Sequence, residues 1–176
     1  MKKTSGIFAA LLLGLAVCGT AGAQDTLKKI RDSGTTTLGH RDSSIPFSYY
    51  DDKQQVVGYA MDICYKIVDA VKANLKLKKL DVKLNPVTSA TRIPLMANGT
   101  IDLECGSTTN TLTRQKQVAY APTTFITGTK LLVKKSARVK SYRDLKGKTV
   151  VVTQGTTNER VIKALSDKHN LGIRFL

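Results

Sequence analysis

The chain of 176 residues carries 28 Lys and Arg against 13 Asp and Glu, a formal net charge of +15. In a cytoplasmic protein that excess would raise the question of nucleic acid. Three cysteines with no Cys-x-x-Cys pair, and two histidines with no metal-type spacing, exclude the usual metal-site patterns. No cofactor is expected.

Residues 1–23 have the make-up of a targeting segment, with Lys2 and Lys3 as the basic region, Ile7 to Val17 as the apolar core and Ala21-Gly22-Ala23 as the cleavage site. The apolar core falls well short of the roughly 20 residues needed to span a bilayer. A signal peptide is therefore expected, with the mature chain starting near Gln24, and lipid attachment at Cys18 is disfavoured by the bulk of Val17. Export points to the periplasm and argues against nucleic acid as a partner. A small anion or a membrane surface suits the charge better. The mature chain is long enough for one domain, or for one domain and part of another.

A lead-in helix is predicted around Thr26–Asp32, and Thr35–Gly39 reads as the first strand, ending at His40-Arg41-Asp42 and a loop with Pro46, Phe47, Tyr49 and Tyr50. A charged strand end before a loop is a common ligand site in open α/β sheets. The aromatic residues read as packing and pocket wall. The spacing of Ala60, Ile63, Cys64, Ile67, Val68, Val71 and Leu75 predicts a helix, with Asp62 at its positive start. Cys64 lies on its apolar face, where a buried free thiol is the first reading, although an oxidising compartment would permit a disulfide between Cys64 and Cys105. Leu80–Leu84 alternates as a strand. Thr88-Ser89 and Pro94 start a short helix that ends near Asn98-Gly99.

Ile101–Cys105 is the third strand, which completes a β-α-β-α-β order and hence a parallel sheet covered by helices. A short helix over Thr111–Gln117 comes next, and Pro122 to Lys135, with Thr129–Val133 extended, reads as a crossover. A second β-α unit then comprises strand Thr149–Thr153, helix Glu159–Lys168 and a last apolar run, Ile173–Leu176. Gly147-Lys148-Thr149 is not a phosphate loop, because Tyr142 stands where the leading glycine belongs and the tripeptide precedes its strand.

One pattern occurs twice, as Gly106-Ser107-Thr108-Thr109-Asn110 and as Gly155-Thr156-Thr157-Asn158, each between a strand and a helix. Glycine allows close backbone approach, and hydroxyls beside free N–H groups at a helix start favour an anion. Two such cradles suggest one carboxylate-bearing ligand held between two similar units.

Several further segments complete a resemblance: Gly39-His40-Arg41-Asp42-Ser43-Ser44-Ile45-Pro46-Phe47-Ser48-Tyr49-Tyr50-Asp51, Val57-Gly58-Tyr59, Arg92-Ile93-Pro94-Leu95, Asn98-Gly99, Glu104-Cys105 and Leu145-Lys146-Gly147-Lys148. Together with the two cradles and Thr88-Ser89, in this order, the chain resembles the family 3 solute-binding proteins, the periplasmic amino-acid-binding proteins of ABC importers. The likeness is greatest to members that bind glutamate and aspartate. It implies an α/β fold of the periplasmic-binding-protein-like type II, with mostly parallel sheets in two lobes that close on a dicarboxylic amino acid. In these terms residues 24–128 form lobe 1, 129–135 the hinge crossover and 136–176 part of lobe 2.

The resemblance also implies roles. Arg92 receives the ligand α-carboxylate in a bidentate pair, Ser107 and Thr109 its amino and carboxylate groups, and Thr157 completes that site from the second lobe. Arg41 and Ser89 match positions that receive the side-chain carboxylate. Ser89 otherwise caps its helix, Arg41 and Arg92 are otherwise surface ion-pair partners, and His40 satisfies a local hydrogen bond. The implied partners are L-glutamate or L-aspartate and the permease subunits, with the protein a monomer. Complete family members continue beyond the position of Leu176, adding an acidic partner for the amino group and a late cysteine that could pair with Cys105. Weak ligand binding and an unpaired or non-natively paired Cys105 are the corresponding expectations here. Two alternatives remain: an enzyme resembling the cyclohexadienyl dehydratases, for which Glu104 and His40 are the acid or base candidates, and a basic exported polyanion-binding module.

Overall fold

The computed structural model describes residues 26–176, so the signal peptide and Cys18 lie outside the described residues. Helix α1 (Thr26–Ser33) leads into β1 (Thr35–His40). Four further strands come after it: β2 (Ser43–Ser44), β3 (Ser48–Tyr50), β4 (Val56–Val57) and, after α2 (Tyr59–Asn74), β5 (Asp81–Pro86). Helix α3 (Arg92–Ala97), β6 (Leu103–Cys105) and α4 (Leu112–Gln115) complete the first unit.

Strand β1 is central, with β5 and β6 both parallel to it in the order β5-β1-β6. Leu38 lies in register with Leu84 on one side and Leu103 on the other. It is fully buried, and with Met61, Cys64, Val68 and Cys105 it forms the core beneath α2. The period-3.6 stripe of α2 thus meets the sheet as its spacing requires. A polar tie adds to the apolar one: Lys29 of α1 pairs with Asp102 at 2.8 Å, and the other Asp102 oxygen accepts the Thr37 N–H at 2.8 Å. That joins α1, β1 and the approach to β6 through one buried carboxylate.

The structure differs from the sequence reading in several places. The Pro46 segment is not simply a loop, because β2, β3 and β4 form a small antiparallel sheet. Strands of two or three residues are too short to display a period of two. Cys64 is not a free thiol, since it forms a disulfide with Cys105. Packing α2 over β6 brings the two Cα atoms to 6.1 Å, within disulfide range, whereas their separation in sequence carries no such information. Finally, residues 119–134, expected to include an extended stretch, run without helix or strand.

The second unit begins with two 3₁₀ turns, Lys135–Ala137 and Tyr142–Leu145. Ser141 and Asp144 close the latter turn in a capping box. Strand β7 (Thr149–Val150) pairs in parallel with β8 (Arg174–Phe175), and α5 (Thr157–Lys168) connects them. Leu145, Ile162, Leu171 and Ile173 form a separate core. Among the described residues no helix is long and apolar enough to cross a membrane.

Cross-linking residues 41 apart removes chain entropy from the unfolded state, worth about 4 kcal/mol in the loop-closure model. Reduction with a phosphine, or Cys64→Ala with Cys105→Ala, should lower the unfolding free energy of the first unit by about that amount, read from urea titrations followed by circular dichroism.

Candidate functional site

The residues singled out in the sequence converge at the carboxyl ends of the parallel strands, where open α/β sheets place their ligand crevice. Arg41 follows β1, Ser89 follows β5, Arg92 opens α3, and Ser107 and Thr109 follow β6. Thr157 enters from the second unit, at the first turn of α5.

Arg92 is only 3% exposed. Its Nη1 lies 3.9 Å from Glu104 Oε1, too far for a hydrogen bond, and no partner reaches its Nε or Nη1, nor Glu104 Oε1. Burial lowers the Arg92 pKa despite the attraction of Glu104. Burial likewise raises that of Glu104, against the opposing pull of Arg92, Thr108 and Arg41. Two desolvated charges that do not satisfy each other are costly. Arg92 is therefore not the surface ion-pair residue that sequence reading left open.

Arg41 Nη1 donates to Ser89 Oγ at 3.0 Å, and its Nε has no partner. Ser89 is thus not the helix cap. The turn before α3 is closed instead by Thr88 and Thr91, each hydroxyl accepting the other residue's N–H, at 2.9 and 3.1 Å. His40 is buried, with Nδ1 3.3 Å from the Arg41 carbonyl and its ring edge-on to Tyr50. Phe47, Tyr59 and Phe125 pack edge to face, with ring centroids 5.0 to 6.4 Å apart. Phe47 and Phe125 also line a cavity of about 450 Å³ that includes Arg92, Glu104 and the Gly106 cradle.

The two cradles face each other. Thr109 Oγ1 is 3.1 Å from Thr157 Oγ1, and the Ser107 hydroxyl is 2.7 Å from that of Ser44. Arg114 spans the gap, donating from Nη1 to the Thr109 carbonyl at 2.9 Å and from Nη2 to the Gly155 carbonyl at 3.0 Å. Gly155, with φ +77°, presses on the Ser89–Ala90 backbone, and a Cβ there would lie 2.9 Å from Ala90 Cα. Only glycine combines that backbone angle with that approach.

The cradles are unequal as anion sites. Glu159 Oε2 accepts the Gly155 N–H at 2.8 Å while Thr156 Oγ1 accepts the Glu159 N–H at 3.0 Å. The second cradle therefore serves its own helix start. Its side-chain contribution to the cleft is the Thr157 hydroxyl. The first cradle keeps its hydroxyls at the cavity wall, and its helix starts later, at the Thr111 cap.

Sequence reading missed Arg114 and saw Glu104 only as an acid or base candidate. Arg114 joins a carbonyl five residues back to one 41 residues ahead, which no motif announces. Glu104 had one available signal, a carboxylate in an alternating strand just before the first cradle.

Two α/β units that meet at their strand ends, where guanidinium groups and hydroxyls gather, have the architecture of the periplasmic-binding-protein-like type II fold. Over residues 36–172 the chain matches the family described as bacterial extracellular solute-binding proteins, family 3, and it belongs to that family. The glutamate/aspartate import solute-binding protein of Salmonella typhimurium is 51% identical over 175 residues, covering 96% of this chain and 58% of that protein. The L-glutamate/L-aspartate-binding protein of Pseudomonas aeruginosa is 53% identical over 152 residues, covering 86% of this chain and 50% of that protein. The chain thus spans half to three-fifths of these relatives' length.

Solved structures agree. An ancestral amino acid-binding protein, a precursor of cyclohexadienyl dehydratase, superimposes with TM-score 0.72 at 26% identity over 86% of this chain and 63% of its own. An ancestral arginine-binding protein bound to arginine gives TM-score 0.69 at 28% identity, over 81% and 61%.

Arg114→Ala should release the two cradles from each other. Loss of two charge-assisted hydrogen bonds, partly exposed, is expected to cost about 1–3 kcal/mol. A rise in the distance between spin labels on Lys116 and Arg160, measured by pulsed dipolar spectroscopy, checks it.

Proposed function

We propose that this protein binds L-glutamate or L-aspartate outside the cytoplasm and delivers it to the permease of an ABC amino-acid importer. The observation that carries the reading is a pair of arginines with buried, unpartnered nitrogens: Arg92, at a cavity rimmed by hydroxyls, and Arg41, close enough to act on it electrostatically. Two guanidinium groups balance two carboxylates. The names of the relatives from Salmonella and Pseudomonas support the same ligand.

In this reading Arg92 takes the α-carboxylate as a bidentate partner, as a planar guanidinium does best. Ser107 and Thr109 receive the amino and carboxylate groups, Thr157 closes the site from the second unit, and Arg41 with Ser89 takes the side-chain carboxylate. Residues 24–128 act as lobe 1, 129–135 as the crossover and 136–176 as part of lobe 2. The protein works in the periplasm as a monomer, without cofactor, metal or nucleic acid, and performs no chemistry on its ligand. The relatives from Salmonella and Pseudomonas are named as binding proteins rather than enzymes, which supports this part of the reading. Micromolar affinity corresponds to about −8 kcal/mol, or about 0.8 kcal/mol for each of roughly ten non-hydrogen atoms. Such efficiency needs enclosure from both sides of the cleft.

Titration calorimetry with glutamate, aspartate and glutamine tests the assignment. Arg92→Ala should abolish binding of all three. Arg41→Ala should weaken glutamate and aspartate by about 1.5–3 kcal/mol while sparing glutamine. An unchanged preference for glutamate over glutamine in Arg41→Ala would remove Arg41 and Ser89 from the side-chain site.

A further inference from the structure

Among the described residues lining the cavity, Glu104 is the carboxylate that faces the arginines. It ends its side chain 3.9 Å from Arg92 Nη1, with Oε1 buried and unpartnered. It lies close against the Gly106 backbone, where an added Cβ would collide with Glu104 Oε1 and approach Arg41 Cγ at 2.9 Å. The groups around it are Arg92 from α3, Arg41 from the end of β1, Tyr120 from the segment after α4, and Thr108 and the Gly106 backbone from its own loop. Arg114 of α4 acts on Arg92 and Tyr120 from farther off.

We propose that Glu104 is the resident counter-charge of Arg92, a positioning residue that takes up one proton from solvent when a ligand carboxylate arrives at Arg92. The proposal rests on the amino-acid-binding reading above and adds a proton to it.

With the site empty, Glu104 offsets part of the positive charge of a desolvated guanidinium, which keeps Arg92 in place without giving it a hydrogen bond. When the ligand carboxylate docks, two carboxylates share that guanidinium in a water-poor cavity. Like charges so placed cannot both stay ionised cheaply, so one of them is protonated. An amino-acid α-carboxyl is intrinsically the stronger acid of the two, and burial already favours the neutral form of Glu104. The proton therefore goes to a Glu104 oxygen, and the ligand stays fully ionised. No bond to the ligand is made or broken.

Linkage fixes the sign of the pH dependence. Binding raises the pKa of Glu104 above its value in the free protein, so affinity is greatest at low pH and is lost as pH rises through the range between the two values. The slope is at most about tenfold in Kd per pH unit, the limit for one proton.

The test is glutamate calorimetry on this chain and on Glu104→Gln, in two buffers of different ionisation enthalpy and from about pH 5.5 to about pH 8. The parent should take up protons on binding and weaken as pH rises. Glu104→Gln should bind at least as tightly at high pH, with no uptake and a flat profile. In parallel, the ¹³C carboxyl resonance of Glu104 in the parent should titrate at higher pH when glutamate is saturating.

No uptake by the parent, an identical pH profile in both proteins, or an unmoved Glu104 resonance would overturn the proposal while leaving the ligand reading intact. So would loss of binding in a folded Glu104→Gln, which would make the carboxylate a direct ligand contact. Absence of any glutamate binding by the parent would overturn the ligand reading, and the proposal with it.

Discussion

Arg92 is a charged side chain held out of water by the first turn of α3, and the geometry of the cleft depends on keeping it there. Its burial has a large desolvation penalty that Glu104, at 3.9 Å and without a hydrogen bond, only partly offsets. The rest of the first unit supplies the difference. Leu38 in the middle of the sheet, the α2 stripe over it and the Cys64–Cys105 bond hold β6, and so Glu104, against α3. A fold that tolerates an incompletely satisfied guanidinium keeps its hydrogen-bonding capacity for something else. A carboxylate is the group whose shape and charge match that capacity.

Around Arg92 the cleft is assembled from both units. Arg114 bridges the Thr109 and Gly155 carbonyls, the Thr109 and Thr157 hydroxyls meet, and Gly155 rests on the Ser89–Ala90 backbone. Each contact joins a strand-end or helix-start segment of the first unit to the Gly155 segment of the second. The cradles that look equivalent in sequence differ in what they leave free. Glu159 takes the Gly155 N–H for the start of α5, whereas the Gly106 cradle remains part of the cavity wall. Similar local sequences thus serve different ends, because the second cradle runs straight into a carboxylate that folds back and the first does not.

Much of the fold was legible because its elements are long enough to show their period. The α2 stripe, the β-α-β-α-β order and the second β-α unit all come from apolar spacing and turn residues, and the structure keeps their order. The strands β2 to β4 were not legible, being two or three residues each. Strand β7 is shorter than its β-branched run, although Val152 still donates to the Leu176 carbonyl at 2.9 Å. Within the site, Arg41, Arg92 and the first cradle were legible as strand-end and helix-start residues. The Ser89 hydroxyl was ambiguous, because a helix cap and a partner for arginine require the same side chain at the same place. The Thr88–Thr91 exchange closes the turn before α3, and Ser89 turns to Arg41 instead.

By itself the sequence determined the class of fold and the charge of the site, since both rest on local pattern: which faces are apolar, where strands end, and which side chains stand there. The tertiary structure alone decided the Cys64–Cys105 pairing, the burial of Arg92 beside Glu104 and the bridging role of Arg114. These depend on distances between residues far apart in the chain. A residue's hydrophobicity is carried in its own letter, but the desolvation of a charge and the reach of a guanidinium exist only once helix, strand and loop have packed.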